Sequence, residues 1–271
     1  MSYVDAASDD AGQDRTGRTP YADQRREAIL ARLRADGRID ASDIAATLNV
    51  TNETIRKDLI VLEQQGLLRR VHGGALPVGS LSFEPAVSAR VHYAEEKARI
   101  AQAALAHVPA SGSVLIDAGS TTGRLADRFP SDRELTVFTN TLPIALTLVE
   151  RHRLTVFTLG GRLRPVTLAE VDDWAARALA EINVDVAFLG TNALSVEHGL
   201  MTPDPAEAAV KRRMLRSARR RILLADHSKV GGFSLCRHGD LSDIDLLITD
   251  TGVGRDELRA LEAAGLKVEL A

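Results

Sequence analysis

Residues 113–129 read SVLIDAGSTTGRLADRF, and this stretch decides the fold class of most of the chain. Its first five residues form an apolar run of strand length that ends at Asp117. A glycine turn with three hydroxyl residues follows, and a helical pattern then covers residues 121–129. A strand, a short glycine turn and a helix in this order are typical of the repeating unit of an α/β sheet.

The same alternation continues on the C-terminal side of this unit. Strands are predicted at residues 113–117, 135–139, 154–159, 184–190, 221–225, 244–249 and 267–270. Helices are predicted at residues 94–107, 121–129, 142–150, 170–182, 205–218 and 255–264. This pattern predicts that residues 94–271 form a Rossmann-like domain, with a mostly parallel sheet and helices on both faces.

The N-terminal part of the chain follows a different pattern. Residues 1–20 are polar and lack apolar periodicity, which predicts a disordered tail. A first helix is expected over residues 21–35 and Gly37 ends it, while Ser42 is expected to cap a short second helix. Asn49 follows that helix at a position where left-handed backbone is favoured.

A third helix and a hairpin complete this first domain. Thr51 is expected to cap the third helix, and Gly66 is expected to end it. A strand at residues 67–71 and a glycine turn then predict a hairpin. Three helices and a hairpin predict a winged helix-turn-helix domain over residues 21–77, followed by a linker over residues 78–93.

The third helix carries the candidate DNA-reading side chains. The second helix of a helix-turn-helix pair enters the major groove, where Arg and Lys contact phosphates and guanine edges. Because Ile55, Leu59 and Leu62 form its inward stripe, the polar side chains point away from the domain. Pattern alone leaves open that Arg56 and Lys57 are only a solvated helix face. The DNA-binding candidates are Thr51, Asn52, Glu53, Thr54, Arg56, Lys57, Arg69, Arg70 and His72.

Polar or glycine-bearing loops follow four of the predicted strands. Ligands of open α/β sheets bind beyond the carboxyl ends of the strands, and a helix start with free N–H groups can hold an anion. The alternative, that Ser120 or Thr121 only caps a helix, stays open. Glu207 and Lys211 could likewise be only an exposed ion pair, one helical turn apart. The ligand-binding candidates are Asp117, Gly119, Ser120, Thr121, Thr122, Thr139, Asn140, Gly160, Gly161, Asn192, Glu207, Lys211 and Lys229.

Both parts of the chain resemble one known family. Residues 25–77 are similar to the DeoR-type helix-turn-helix in three stretches, which are REAIL at 26–30, TIRKDL at 54–59 and GLLRRVHGGA at 66–75. Residues 84–271 are similar to the DeoR sensor domain. The matching motifs there are the Asp-x-Gly-Ser-Thr-Thr loop, Thr-Asn, Gly-Gly, Thr-Pro-Asp with Glu207 and Lys211, and LADHSK.

The resemblance implies a ribose-phosphate-isomerase-like fold and a sugar phosphate as ligand. Asp117 and the 119–122 loop would hold the phosphate, Lys211 and Lys229 would add positive charge, and Glu207 and Asn192 would face the sugar hydroxyls. The chain departs from many members in having Leu194 for glycine and Asp172-Asp173 for Gly-Pro. With Trp174, the latter form is similar to regulators of fructose-type operons, which implies fructose 1-phosphate.

Composition sets the cellular context that we expect. The net charge is −3, hydrophobic residues make up 45%, and Cys236 is the single cysteine. The sequence shows neither a signal peptide nor an apolar run of membrane-spanning length, so a cytoplasmic location away from membranes is expected. We expect no catalytic residue, no metal site and no cofactor.

The sequence therefore predicts a transcription regulator, normally a repressor, that binds double-stranded operator DNA as a homo-oligomer and leaves it when a sugar phosphate binds. One alternative is a sugar-phosphate isomerase or deaminase with an accessory winged helix. Its possible general bases are Asp117, Glu197 and Glu207, although the isomerase relatives place carboxylates in the loop that here reads Thr-Asn-Ala at 191–193. A winged helix used only for protein contacts is disfavoured by its exposed arginines and lysine.

Overall fold

A computed structural model describes residues 21–36, 39–71, 73–77, 84, 86–90 and 93–271. The predicted tail at residues 1–20, the helix stop at Gly37 and the DNA contact at His72 lie outside these described residues. They remain predictions, and so do the domain boundaries given above.

The N-terminal domain is a winged helix. Its elements are α1 (Ala22–Asp36), β1 (Ile39–Asp40), α2 (Ala41–Thr47), α3 (Asn52–Gln64), β2 (Leu68–Val71) and β3 (Gly74–Pro77). The three strands pair antiparallel in the order β1-β3-β2. Ile55, Leu59 and Leu62 of α3 are buried with residues from both other helices, which confirms the inward stripe.

The helix ends of this domain follow the sequence with one exception. Thr51 caps α3 as predicted, with its Oγ1 accepting the Thr54 N–H at 3.2 Å, and Asn49 has a positive φ of 51°. The prediction that Ser42 caps α2 was wrong. The carboxylate of Asp40 caps it and accepts the Ser42 N–H at 2.9 Å, because the helix already begins at Ala41.

Two close contacts hold the elements of the winged helix together. The buried carboxylate of Asp58 on α3 accepts from Arg25 at 2.5 Å and from Arg26 at 3.1 Å, which joins α3 to α1. Gly74 on β3 lies against β1, and a Cβ built on it would stand 1.9 Å from the carbonyl oxygen of Ile39. Any larger residue at position 74 would therefore separate the two strands.

The C-terminal domain contains a seven-stranded parallel sheet. Its helices are α4 (Ala94–Ala104), α5 (Ser120–Asp127), α6 (Leu142–Val149), α7 (Asp172–Ala180), α8 (Pro205–Arg216) and α9 (Arg255–Ala263). The sheet strands are β4 (Gly112–Ile116), β5 (Leu135–Thr139), β6 (Leu154–Thr158), β9 (Val184–Leu189), β12 (Ala218–Leu224), β14 (Leu246–Thr249) and β15 (Val268–Leu270). No helix in the described residues is long and apolar enough to cross a membrane.

The strand order creates a switch point at the centre of this sheet. The order is β15-β14-β12-β9-β4-β5-β6, and every neighbouring pair is parallel. The chain runs from β4 outwards to β6 and then returns to place β9 on the other side of β4. Separate apolar cores cover the two faces. The predicted α/β fold with a mostly parallel sheet is thereby confirmed.

Short antiparallel strands were missed at the sequence level. β7 (Arg162–Arg164) pairs with β8 (Ala169–Val171) as a hairpin. β10 (Ala193–Ser195), β11 (Gly199–Thr202) and β13 (Cys236–Gly239) form a small second sheet. With three or four residues each, these strands are too short to show a clear period of two.

Candidate functional sites

A cavity of about 510 Å³ lies at the switch point, beyond the carboxyl ends of β4, β9 and β12. This is where open α/β sheets bind ligands, and the volume suits a small metabolite. Residues 65–67, in the turn between α3 and β2, also lie along its wall. The predicted ligand residues that line the cavity are Gly119, Ser120, Thr121, Thr122, Asn192, Glu207, Lys211 and Lys229.

The first turn of α5 contributes backbone donors to this cavity. Gly119 is the N-cap residue and provides no side-chain cap. Ser120 and Thr121 lie inside the helix, so neither hydroxyl plays the capping role that the sequence left open. The first N–H groups of a helix have no partner within it and carry partial positive charge. This turn is therefore suited to an anion.

Asp117 and Lys211 form a buried pair beneath the loop. The Oδ2 atom of Asp117 accepts from the Lys211 ammonium and, at 3.0 Å, from the backbone N–H of Gly190. Lys211 also donates to the Gly190 carbonyl at 3.0 Å. Asp117 thus joins the ends of β4 and β9 and does not line the cavity. A carboxylate accepts hydrogen bonds, so it holds Lys211 in place rather than holding a phosphate.

Four other predicted ligand residues do not line the cavity. Thr139 donates to the Ile116 carbonyl at 2.7 Å, and Asn140 accepts the Ala118 N–H at 2.8 Å, so both support the loop from the neighbouring strand. Gly160 and Gly161 follow β6, which is the edge strand and lies two strands from β4. The Gly160 N–H donates to Glu170 at 2.8 Å.

Cationic side chains that the sequence analysis missed meet at the cavity wall. Lys97 of α4 is buried and donates to the Arg90 carbonyl at 3.2 Å. Burial, together with the charges of Lys229, Arg90 and Arg124, lowers the pKa of Lys97 to about 8, and Asp226 opposes this shift. Arg90 and Lys229 line the same cavity. Like charges collected in this way form a site for a negatively charged ligand.

The sequence does carry a signal for Lys97. Its buried neighbours along α4 are Ile100, Ala101 and Ala104, so the lysine occupies the i position of an i, i+3, i+4, i+7 apolar stripe. A lysine side chain is almost never fully buried unless it is paired with another group. A lysine on the inward face of a predicted helix is therefore a sequence signal for a candidate site residue.

The carboxylates of Glu84 and Glu207 line the opposite side of the cavity, and both contact Arg164. The Arg164 guanidinium contacts Glu84, lies 3.2 Å from Glu207 and lies 3.0 Å from Asp204. Burial and the nearby Glu84 raise the pKa of Glu207, whose carboxylate also accepts from the Thr167 hydroxyl. Glu207 and Lys211 are both buried and bond different partners, so they are not an exposed ion pair.

The winged helix presents a separate polar face. Asn52, Glu53, Arg56 and Lys57 of α3 are exposed, Thr54 is partly buried, and Ile55 is buried. On the wing, the Arg70 guanidinium lies 2.6 Å from Glu63 of α3. Arg56 and Lys57 are thus the basic side chains of α3 that can reach a DNA groove.

Comparison with known proteins matches the two parts of the chain to one family. Residues 25–80 match the family described as "DeoR-like helix-turn-helix domain", and residues 92–251 match "DeoR C terminal sensor domain". The chain is 34% identical to the "Putative aga operon transcriptional repressor" of Escherichia coli O157:H7, over 100% of this chain and 99% of the relative. It is 37% identical to the "HTH-type transcriptional regulator GlpR" of Haloferax volcanii, over 91% of this chain and 96% of the relative.

Among solved structures, the full-length sorbitol operon regulator SorC of Klebsiella pneumoniae aligns with a TM-score of 0.41 and 13% identity, over 89% of this chain and 98% of that one. The family matches and the two relatives cover both domains of the chain. The observed winged helix and the parallel-sheet domain are the two parts that those matches describe. The chain therefore belongs to the DeoR family of DNA-binding transcriptional regulators.

Proposed function

We propose that this protein represses an operon of sugar metabolism and leaves its operator when a sugar phosphate binds the cavity. The observation that carries the proposal is the meeting of Lys97, Lys229 and Arg90 with the uncapped first turn of α5. A phosphate dianion removed from water requires several charge-assisted donors, and this corner of the cavity supplies them.

The two lysines of the earlier prediction then have different roles. The charge of Lys211 is matched by Asp117, so Lys211 adds little net attraction for an anion. Lys229 has no ion pair among the described residues and lines the cavity directly. We therefore assign the phosphate to Lys97, Lys229 and Arg90, together with the N–H groups at residues 119–122.

We assign the sugar end of the ligand to Asn192, Glu207 and Thr167, which line the other side of the cavity. Amide and carboxylate groups are suited to sugar hydroxyls. Asp172, Asp173 and Trp174 do not line the cavity, and Asp172 pairs with Arg162 at 2.7 Å. Fructose 1-phosphate is therefore one member of the proposed class, and the cavity contacts do not single it out.

A thermal-shift screen of matched sugars with and without phosphate tests the proposal. A ligand at 100 times its dissociation constant should stabilise the folded protein by about 2.7 kcal/mol, and the unphosphorylated sugar should not. Equal stabilisation by both forms would show that the cavity does not recognise the phosphate group of the ligand. Steady conversion of the ligand, followed by NMR, would instead support an isomerase or deaminase that uses Glu207 as a base.

A further inference from the structure

Glu84 brings a negative charge into the cavity from the segment between the two domains. Its side chain is 1% exposed. One carboxylate oxygen accepts from Arg90 and, at 2.8 Å, from the Asn192 amide, while the other accepts from Arg164. Burial alone would raise the pKa of Glu84, but Arg90 and Arg164 hold it below its usual value. Glu84 is therefore a buried anion, bound by side chains of the sensor domain.

The partners of Glu84 are groups that a ligand also needs. Arg90 belongs to the cationic corner around Lys97, and Asn192 lies on the sugar side of the cavity. A carboxylate and a phosphate compete for the same donors, and two anions repel each other strongly where water is excluded. A sugar phosphate that engages Arg90 and Asn192 would weaken the bonds that hold Glu84.

The position of Glu84 in the chain links this contact to the DNA-binding domain. Glu84 follows strand β3 of the wing by only a few residues, and the next described residues anchor to the sensor domain, where the Val87 N–H donates to the Val166 carbonyl at 2.8 Å. The turn at residues 65–67 of the winged helix lies along the same cavity. A change in the bonding of Glu84 therefore acts where the two domains join.

We propose that Glu84 is a built-in competitor of the effector, holding the connecting segment in the DNA-binding arrangement until a phosphorylated ligand takes over Arg90 and Asn192. This inference rests on the proposed function for the identity of the ligand. A ligand shifts such an equilibrium only through unequal affinity for the two arrangements, and displacement of Glu84 provides that inequality.

Glu84→Gln in the full-length protein tests the competitor directly. The DNA is a sequence selected from a random pool by the wild-type protein, and affinity is measured without any sugar. Because the amide keeps the shape and loses the charge, the variant should bind this DNA at least about fivefold more weakly, as the ligand-bound form would. Glu134→Gln, which alters an exposed glutamate before β5, is the matched control and should have no effect.

A second variant separates coupling from folding. Arg90→Gln removes one of the three partners of Glu84, so the losses of DNA affinity in the double variant should be less than additive. Thermal unfolding of each variant shows whether it is folded. Wild-type DNA affinity in folded Glu84→Gln, or fully additive losses in the double variant, would overturn the proposal.

The affinity of the protein for the ligand is measured in a separate experiment. Calorimetry of the wild-type protein with inorganic phosphate and with fructose 1-phosphate tests the proposed function. In Glu84→Gln, either ligand should bind at least as tightly as in the wild type, because its competitor is weakened. If the wild type binds neither ligand and Glu84→Gln still releases DNA, the proposed effector class fails while the role of Glu84 stands. Weaker phosphate binding in Glu84→Gln would overturn the competition.

Discussion

The ammonium of Lys97 lies 3.9 Å from the carboxylate of Asp226, and both side chains are almost completely buried. At that distance the two charges attract each other but share no hydrogen bond. The Asp226 oxygen that faces the lysine has no hydrogen-bond partner among the described residues. Asp226 therefore offsets the charge of Lys97 only through space, while Lys97 donates to the Arg90 carbonyl at 3.2 Å.

The binding of phosphate should depend on pH through Lys97. Its pKa is lowered to about 8, so the lysine loses its proton as the pH rises from 7 to 9. Phosphate esters have a second pKa of about 6 and stay dianionic over this range. We expect the affinity for fructose 1-phosphate to fall about tenfold between pH 7 and 9.

Two variants, Lys97→Arg and Lys97→Met, test whether Lys97 is the group that causes this pH dependence. The arginine variant stays charged and should show a flat profile over the same range, while the methionine variant should bind weakly throughout. The other charged groups facing Lys97 are Asp226, Lys229, Arg90 and Arg124. Calorimetry at several pH values gives the profiles, and an unchanged slope in Lys97→Arg would assign the titration to another group.

The recognition helix should lose DNA affinity when its exposed basic side chains are removed. Arg56→Ala and Lys57→Ala should leave the fold intact, because both side chains point away from the buried stripe of α3. If either contacts a phosphate, the slope of log affinity against log salt should fall by about one unit. Gel-shift titrations at several salt concentrations measure it, with Lys267→Ala at the distant end of the chain as control. Wild-type affinity in both variants would contradict this DNA-facing assignment.

Lys211 should matter more for stability than for direct attraction of the ligand. Removing one partner of a buried ion pair leaves the other charge uncompensated, at a cost of about 3–5 kcal/mol. Lys211→Met should therefore lower the melting temperature sharply, whereas Lys229→Ala should leave it near that of the wild type and weaken phosphate binding. Lys229→Ala should then still bind its operator and respond poorly to the sugar phosphate.

A double variant tests the pairing of Lys211 with Asp117. Asp117→Asn combined with Lys211→Met removes both charges, so it should be more stable than the sum of the two single losses implies. Thermal and urea unfolding of all four proteins give the coupling free energy. Additive losses would show that the two side chains do not act together in the folded protein.

The protein should bind its operator as a dimer or a larger homo-oligomer. One winged helix with Arg56 and Lys57 at its reading face offers few contacts, and two tethered copies gain from effective concentration. A symmetric dimer should protect two half-sites separated by about one helical turn or a multiple of it. Footprinting together with sedimentation measures both, and protection of one isolated half-site by a monomer would contradict it.

The local patterns of the sequence determined the elements and the two domain types. The i, i+4, i+7 stripe of α3, the cap at Thr51 and the apolar runs that became β4, β5 and β9 each depend on neighbours within a few residues. Such signals can be read from the sequence alone, because helix and strand periods are set by backbone geometry. Of the loop that follows β4, residues 119–122 line the cavity, and their role in ligand binding stays a prediction.

The order of strands and the partners of buried charges were decided only by the tertiary structure. Gly160 and Asn192 each follow a strand, and only the placement of β9 beside β4 brings Asn192 to the cavity and leaves Gly160 outside it. Glu84 and Arg164 are 80 residues apart in the chain, and no local period connects them. Their pairing depends on burial and low dielectric around the folded cavity. A buried charge there is stabilised by an opposite charge nearby, whatever the separation of the two residues in the sequence.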